Sequence, residues 1–275
     1  AGITEQPSLT TTEIDFLTAY LENGGRLFLT GRGILNDIVG TSFARDFLGI
    51  GAVAVDQGTT SLIEGVPGDL VSAGLTFSGT FPAVDYYNPA GEAVGILTGD
   101  ADSPLRFVAH RYAGDYRLVF AAFDVHRLPV QGTGTSDGLV TLVERIYAYL
   151  TQASVNRAPV VTHTVSNQIN KKLPVTVTFE AEVSDPDGDE VAFEWRFWNV
   201  ESGRPTTYEA VTSLTTTRTY TDGFDHLVSY VADDGHGNRV ERFFYVITAP
   251  PSEGARDVVW FVDDPDVNSL IVLGP

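Results

Sequence analysis

At 275 residues, with 43% hydrophobic and 11% aromatic residues, the chain carries enough apolar material for two cored domains and is not a disordered polymer. Its formal charge of −19 argues against the phosphate backbone of nucleic acid as a partner and suits solubility or cation binding. Cysteine is absent, which removes disulfides, thiolate metal sites and any Cys nucleophile together.

Methionine is absent too, so Ala1 reads as the start of a cleaved product or of a fragment of a longer polypeptide. No apolar run approaches the ~20 residues of a membrane-spanning helix and no signal peptide is evident, so the chain reads as soluble.

The first predicted element runs from Leu9 to Glu22. Thr10 can cap a helix, Glu13 can close the capping box, and Leu9 can staple onto Ile14. Ile14, Leu17 and Leu21 then share one face, and Asn23-Gly24-Gly25 ends the helix. Arg26 to Thr30 follows as a short apolar strand that stops at Gly31-Arg32-Gly33, a turn without the spacing of a phosphate-binding loop. A helix feeding a buried strand is the second half of a β-α-β unit, and the first strand of that unit does not precede it. The front domain is therefore expected to be an α/β parallel sheet, incomplete at its N-terminus.

A short helix is expected at Ser42 to Leu48, then loops and short strands over Gly51 to Tyr87. Strands are expected at Ala93 to Leu97, Leu105 to Tyr112 and Tyr116 to Phe123, the last a continuous apolar run of the kind buried on both faces. Ser136 can cap a closing helix through Leu139, Leu142, Val143, Ile146 and Leu150. The fragments YLENGGRLFLTGRGI and YRLVFAAFDVHRL, with this helix, resemble the class I glutamine amidotransferase-like, flavodoxin-type α/β fold, in versions lacking the catalytic Cys. Catalysis in that family uses a thiolate, so the resemblance implies a fold without the activity.

The expected division is residues 1–151 for this domain, 152–159 for a polar linker, 160–250 for an all-β sandwich and 251–275 for a C-terminal strand segment. Within the sandwich, Val175, Val177, Phe179, Ala181 and Val183 alternate with polar residues, as do Val191, Phe193, Trp195 and Phe197. Further strands are expected at Leu214 to Tyr220, Leu227 to Ala232 and Val240 to Ile247. The segments AEVSDPDGDEVAFEW and VSYVADDGHGN resemble PKD and cadherin-like immunoglobulin modules. That resemblance implies an extracellular or cell-surface spacer or adhesive unit, with calcium at its ends in some members.

Asp185, Asp187 and Asp189 can converge in one tight loop, and Asp233, Asp234 and Asn238 belong to a second acidic turn that a sandwich can bring to the same end. Hard oxygen donors in that number suit calcium, while Asp, Pro, Gly and Asn are also what plain turns require. In the tail, Val258 to Val262 is a continuous apolar run before Asp263, Asp264 and Asp266, and reads as a buried parallel strand without its own sheet. It can open a further repeat, complete its own front domain, or insert into a neighbour through residues 257–264.

The five histidines are scattered without ligand spacing, no G-x-S-x-G elbow exists, and Trp198, Tyr86 and Tyr87 are the aromatics available to a sugar. The expected function is therefore a non-enzymatic extracellular structural or adhesive protein or filament subunit, and the alternative is an accessory fragment of a large secreted hydrolase.

Overall fold

The computed structural model describes residues 8–54, 58–100, 106–130, 138–152, 155–166, 173–201, 204–223, 225–248, 260–261 and 270–271. Helix α1 (Thr11–Glu22) begins on the expected capping box, with the Thr10 backbone N–H donating to Glu13 at 2.8 Å, and ends before Gly24 at φ 77°. It leads directly into β1 (Arg26–Thr30), as its sequence requires. A one-turn α2 (Ile34–Ile38) and a π-helical turn (Phe43–Phe47) follow, the latter in place of the expected short α-helix.

Six strands occupy the region after the π-turn up to the last hairpin: β2 (Ile50–Ala54), β3 (Thr59–Gly65), β4 (Thr76–Pro82), β5 (Tyr86–Pro89), β6 (Val94–Gly99) and β7 (Phe107–Ala113). Strand β8 (Arg117–Ala121), a 3-10 turn (Val125–Arg127) and α3 (Leu139–Thr151) complete the front half. Gly138 occupies the cap position of α3 without a side-chain bond, and Ser136 lies outside the described residues.

These strands form one eight-stranded sheet ordered β1-β8-β7-β6-β3-β4, with β5 joined to β7 and β2 to β5. Among the described strands of this sheet only β1 and β8 run parallel, and the other pairings are antiparallel. The expected flavodoxin-like parallel α/β domain is therefore corrected to a largely antiparallel sheet with helices at one edge. The physical reason is that a continuous apolar run reports cover on both faces, not strand direction. Strand β8 is such a case: Leu118 and Phe120 join a core with Leu21, Leu35 and Tyr87, while Val119 and Ala121 face a second core with Val108, Leu142 and Ile146. The two layers also place α1 and α3 on opposite sides of β1, since Leu27 and Leu29 pack with the first core and Phe28 with the second.

The second half is a β-sandwich. Strands β9 (Val160–Val165), β10 (Val175–Ser184) and β13 (Thr215–Tyr220) form one sheet in the order β13-β10-β9. Strands β11 (Ala192–Glu201), β12 (Arg204–Val211), β14 (Asp225–Asp233) and β15 (Arg239–Ile247) form the other, in the order β12-β11-β14-β15. Alternating residues Val175, Val177 and Phe179 meet Trp195, Phe197 and Tyr230 between them, as the period-two pattern predicts. Strands β9 and β12 were not expected from the sequence, being short on apolar alternation.

In the tail, β16 (Trp260–Phe261) pairs antiparallel with β17 (Leu270–Ile271) and, among the described residues, joins no other sheet. The expected parallel strand at Val258 to Val262 is corrected where it is described, since Trp260 and Phe261 pair antiparallel within the tail, and Val258, Val259 and Val262 lie outside the described residues. Asp257, Asp263, Asp264 and Asp266 lie outside the described residues. No helix among the described residues is long and apolar enough to cross a membrane.

Candidate functional site

The loop after β10 is built by Asp185. Its Oδ1 accepts the backbone N–H of Asp187 at 2.7 Å and of Asp189 at 3.3 Å, and Gly188, at φ 86°, supplies the left-handed turn. The loop after β14 is built the same way by Asp234. Its Oδ1 accepts from His236 N at 2.7 Å and Asn238 N at 3.0 Å, while Asp233 accepts from Gly235 N at 2.9 Å.

The sandwich brings both loops to one end, where carboxylate oxygens of Asp185, Asp189 and Asp234 lie within 4.8 Å of one another. Three of the six expected ligands therefore converge. The other three have work elsewhere. Asp187 accepts from the Arg157 backbone N at 2.6 Å and its side-chain Nε at 3.2 Å, and these bonds hold its carboxyl below the usual range. Asp233 closes its own turn, and Asn238 is fully buried, its Oδ1 accepting from Arg111 at 2.8 Å.

The converging set offers a hard cation unequal donors. Asp234 is saturated, since Oδ2 also accepts from Asn156 at 2.7 Å and Asn238 at 2.5 Å. Asp185 is open: its Oδ2 is buried and has no hydrogen-bond partner among the described residues. Asp189 faces the His236 ring at 3.4 Å. Three carboxylates supply part of the ~6 to 8 oxygens calcium takes, leaving carbonyls and water for the rest.

Behind the loops lies a polar junction that joins the two halves. Arg111, in β7, is 1% exposed; its Nε donates to Asp69 at 2.8 Å, Nη1 to Asn238 and Nη2 to the Gly237 carbonyl at 2.7 Å. Asp69 Oδ1 accepts in turn from the Val71 and Ser72 backbones, both at 2.8 Å. Further along, buried Glu241 pairs with Arg196 at 3.0 Å and with Arg106, and Arg242 donates to the carbonyls of Gly91 at 2.5 Å and Ala93 at 3.0 Å. Asn156 and Arg157 of the expected linker are fastened to the acidic loops by the bonds already given.

The junction residues were missed in the sequence. A usable signal existed, because Arg111 interrupts an apolar strand buried on both faces, and a charge in that position needs a buried partner. The aromatics considered for sugar are corrected: Tyr86 is 5% and Tyr87 0% exposed, both in the core. Trp198 is half-buried and donates to Ser229 Oγ at 2.9 Å.

No family model and no curated protein matches the chain. Among solved structures it is similar to the PKD1 domain of Vibrio anguillarum Epp, at 20% identity and a TM-score of 0.27, over 35% of this chain and all of that domain. A TM-score at that level establishes no structural equivalence, and the sandwich stands on its own strand order.

Proposed function

We propose that the chain is a non-enzymatic structural unit of an extracellular or cell-surface assembly, in which the sandwich and the front sheet act as one stiff body. The observation that carries this reading is the buried Asp69–Arg111–Asn238 bridge. It spends a desolvated ion pair on holding an acidic loop of one half to the sheet of the other. A spacer needs that stiffness. A catalytic cleft between domains that open and close does not.

Calcium at Asp185, Asp189 and Asp234 belongs to the same reading, since a cation there would relieve three adjacent carboxylates and brace the loops that Asn156 and Arg157 hold. Isothermal titration with calcium, beside thermal unfolding with and without it, tests this. The expected result is binding with a raised Tm, both lost in Asp185→Asn/Asp189→Asn. Binding unchanged by that double substitution, or no binding at all, removes the cation from the proposal.

A further inference from the structure

The outer edge of β1 is unfinished in a way that specifies what would finish it. Among the described residues, strand β1 pairs only with β8. Gly25 O accepts from Arg117 N and Gly31 N donates to Ala121 O, so the odd-numbered residues of β1 bond toward β8 and the even-numbered ones point outward. At Arg26 both outward groups are taken by the Tyr20 hydroxyl, at 3.0 Å and 3.2 Å. Among the described residues, the backbone N–H and C=O of Phe28 and Thr30 have no hydrogen-bond partner along the edge.

The layers above and below the edge are short of cover as well. Leu27, Phe28 and Leu29 are apolar yet only half-buried, as are Ile14 and Leu17 on the inner face of α1. On α3, Arg145 reaches the Val71 and Ala73 carbonyls and Tyr149 lies against Arg111, so that flank faces the interior of the sheet. The opposite flank, toward β1, carries Val140, Val143 and Tyr147, at 52%, 42% and 70% exposure. An edge with unpaired backbone groups and apolar overhang on both sides accepts a strand that is apolar on both faces.

We infer that this edge receives Val258 to Val262 from a second copy of the chain. That segment matches the five residues of β1 in length and is apolar throughout. Laid parallel to β1, it places Asp257 beside Arg26 and Asp263 and Asp264 beside Arg32, opposite charges at both ends. Where the tail leaves favours a second copy over the same chain as the donor. Strand β15 starts at Arg239, by the acidic loops and the linker, and ends at Ile247, about 26 Å away at ~3.3 Å per residue. The tail therefore departs from the pole of the sandwich opposite the linker.

The receiving edge lies three strands from β6, the strand that packs on β15. Donor and acceptor surfaces differ, so the contact is head-to-tail and propagates as a fibre unless it closes into a ring. Against this gain, the pairing the donor gives up is, among the described residues, the two residue pairs of the β16–β17 hairpin, a size that is marginal by itself in water.

The inference builds on the structural-unit reading but is read out by mass, whereas that reading is tested by calcium and by unfolding, so either can fail without the other. Light scattering of the full chain is expected to give multiples of 29.7 kDa that grow with concentration. Trp260→Asp, which spoils the donor, and Thr30→Pro, which removes an outward N–H, should each give monomer, and their mixture should give heterodimers and nothing larger. Wild-type monomer at all concentrations, or assembly that survives Trp260→Asp, overturns the inference.

Should Thr30→Pro fail to fold, the decision passes to Thr30→Cys/Val262→Cys in the cysteine-free chain under mild oxidation. A disulfide-linked ladder on a non-reducing gel supports exchange between copies. A cyclised monomer or no cross-link overturns it.

Discussion

His110 shows how one residue ties the core to pH. Its ring is fully buried against Tyr87 and Phe120, with Nδ1 hydrogen-bonded to the Tyr87 hydroxyl at 2.7 Å. Burial first, and then the Arg242 charge, push its pKa down to about 3 against an upward pull from a backbone bond, so the folded state holds the ring neutral. The unfolded chain takes a proton near pH 6.5 and the folded chain does not. The stabilisation is thus present in full above that value and is lost as pH falls from about 6.5 toward about 3, by at most ~1.4 kcal/mol per pH unit. Urea unfolding between pH 4.5 and 7 should show this slope. The paired substitution His110→Phe/Tyr87→Phe, which removes donor and acceptor together, should flatten it; an unchanged slope would assign the effect to other groups.

Among the elements, α3 gives a sharp contrast between neighbouring residues. Ile146 is 3% exposed and meets the sheet, whereas Tyr147 is 70% exposed on the flank toward β1. Ile146→Ala should cost ~2–5 kcal/mol through the cavity it leaves, and Tyr147→Ala should stay within ~0.5 kcal/mol in the monomer. Denaturant midpoints at low protein concentration check both. Loss of more than that at Tyr147 would mean its ring already packs within its own chain. Strand β1 is the complementary element, with a sequence suited to a central strand and a place at the edge.

For the whole molecule, the question is whether two cores unfold as one. The front cores and the sandwich core are separate clusters, joined by the polar groups of Arg111, Asn238, Arg106, Glu241 and Arg242 and by Val94 of β6, which packs into the sandwich core. Arg111→Met leaves Asp69 buried without its partner and should destabilise by ~3–5 kcal/mol. It should also divide the single calorimetric transition expected of the native chain into two. Two transitions already in the native protein would instead show that the polar junction does not couple the halves.

Much of the local structure was legible because it is specified by neighbours in sequence. The capping box of Thr10 and Glu13, the glycine stop of α1 and the alternation along β10 and β11 each follow from residues a few positions apart. The two Asx-type turns at Asp185 and Asp234 were legible for the same reason, and so was their acidic character. Strand direction was not, because the apolar run of β8 is the same whether its neighbour β7 runs with it or against it. Nor was the choice among six acidic-loop residues. Arg157 claimed Asp187 and Arg111 claimed Asn238 from elsewhere in the chain, and only the folded arrangement brought those arginines within bonding distance. The sequence by itself determined the capped first helix, the alternating strands β10 and β11 and the acidic turns. The tertiary structure decided strand pairing, the carboxylates left to meet and the edge left open, since each depends on partners far apart along the chain.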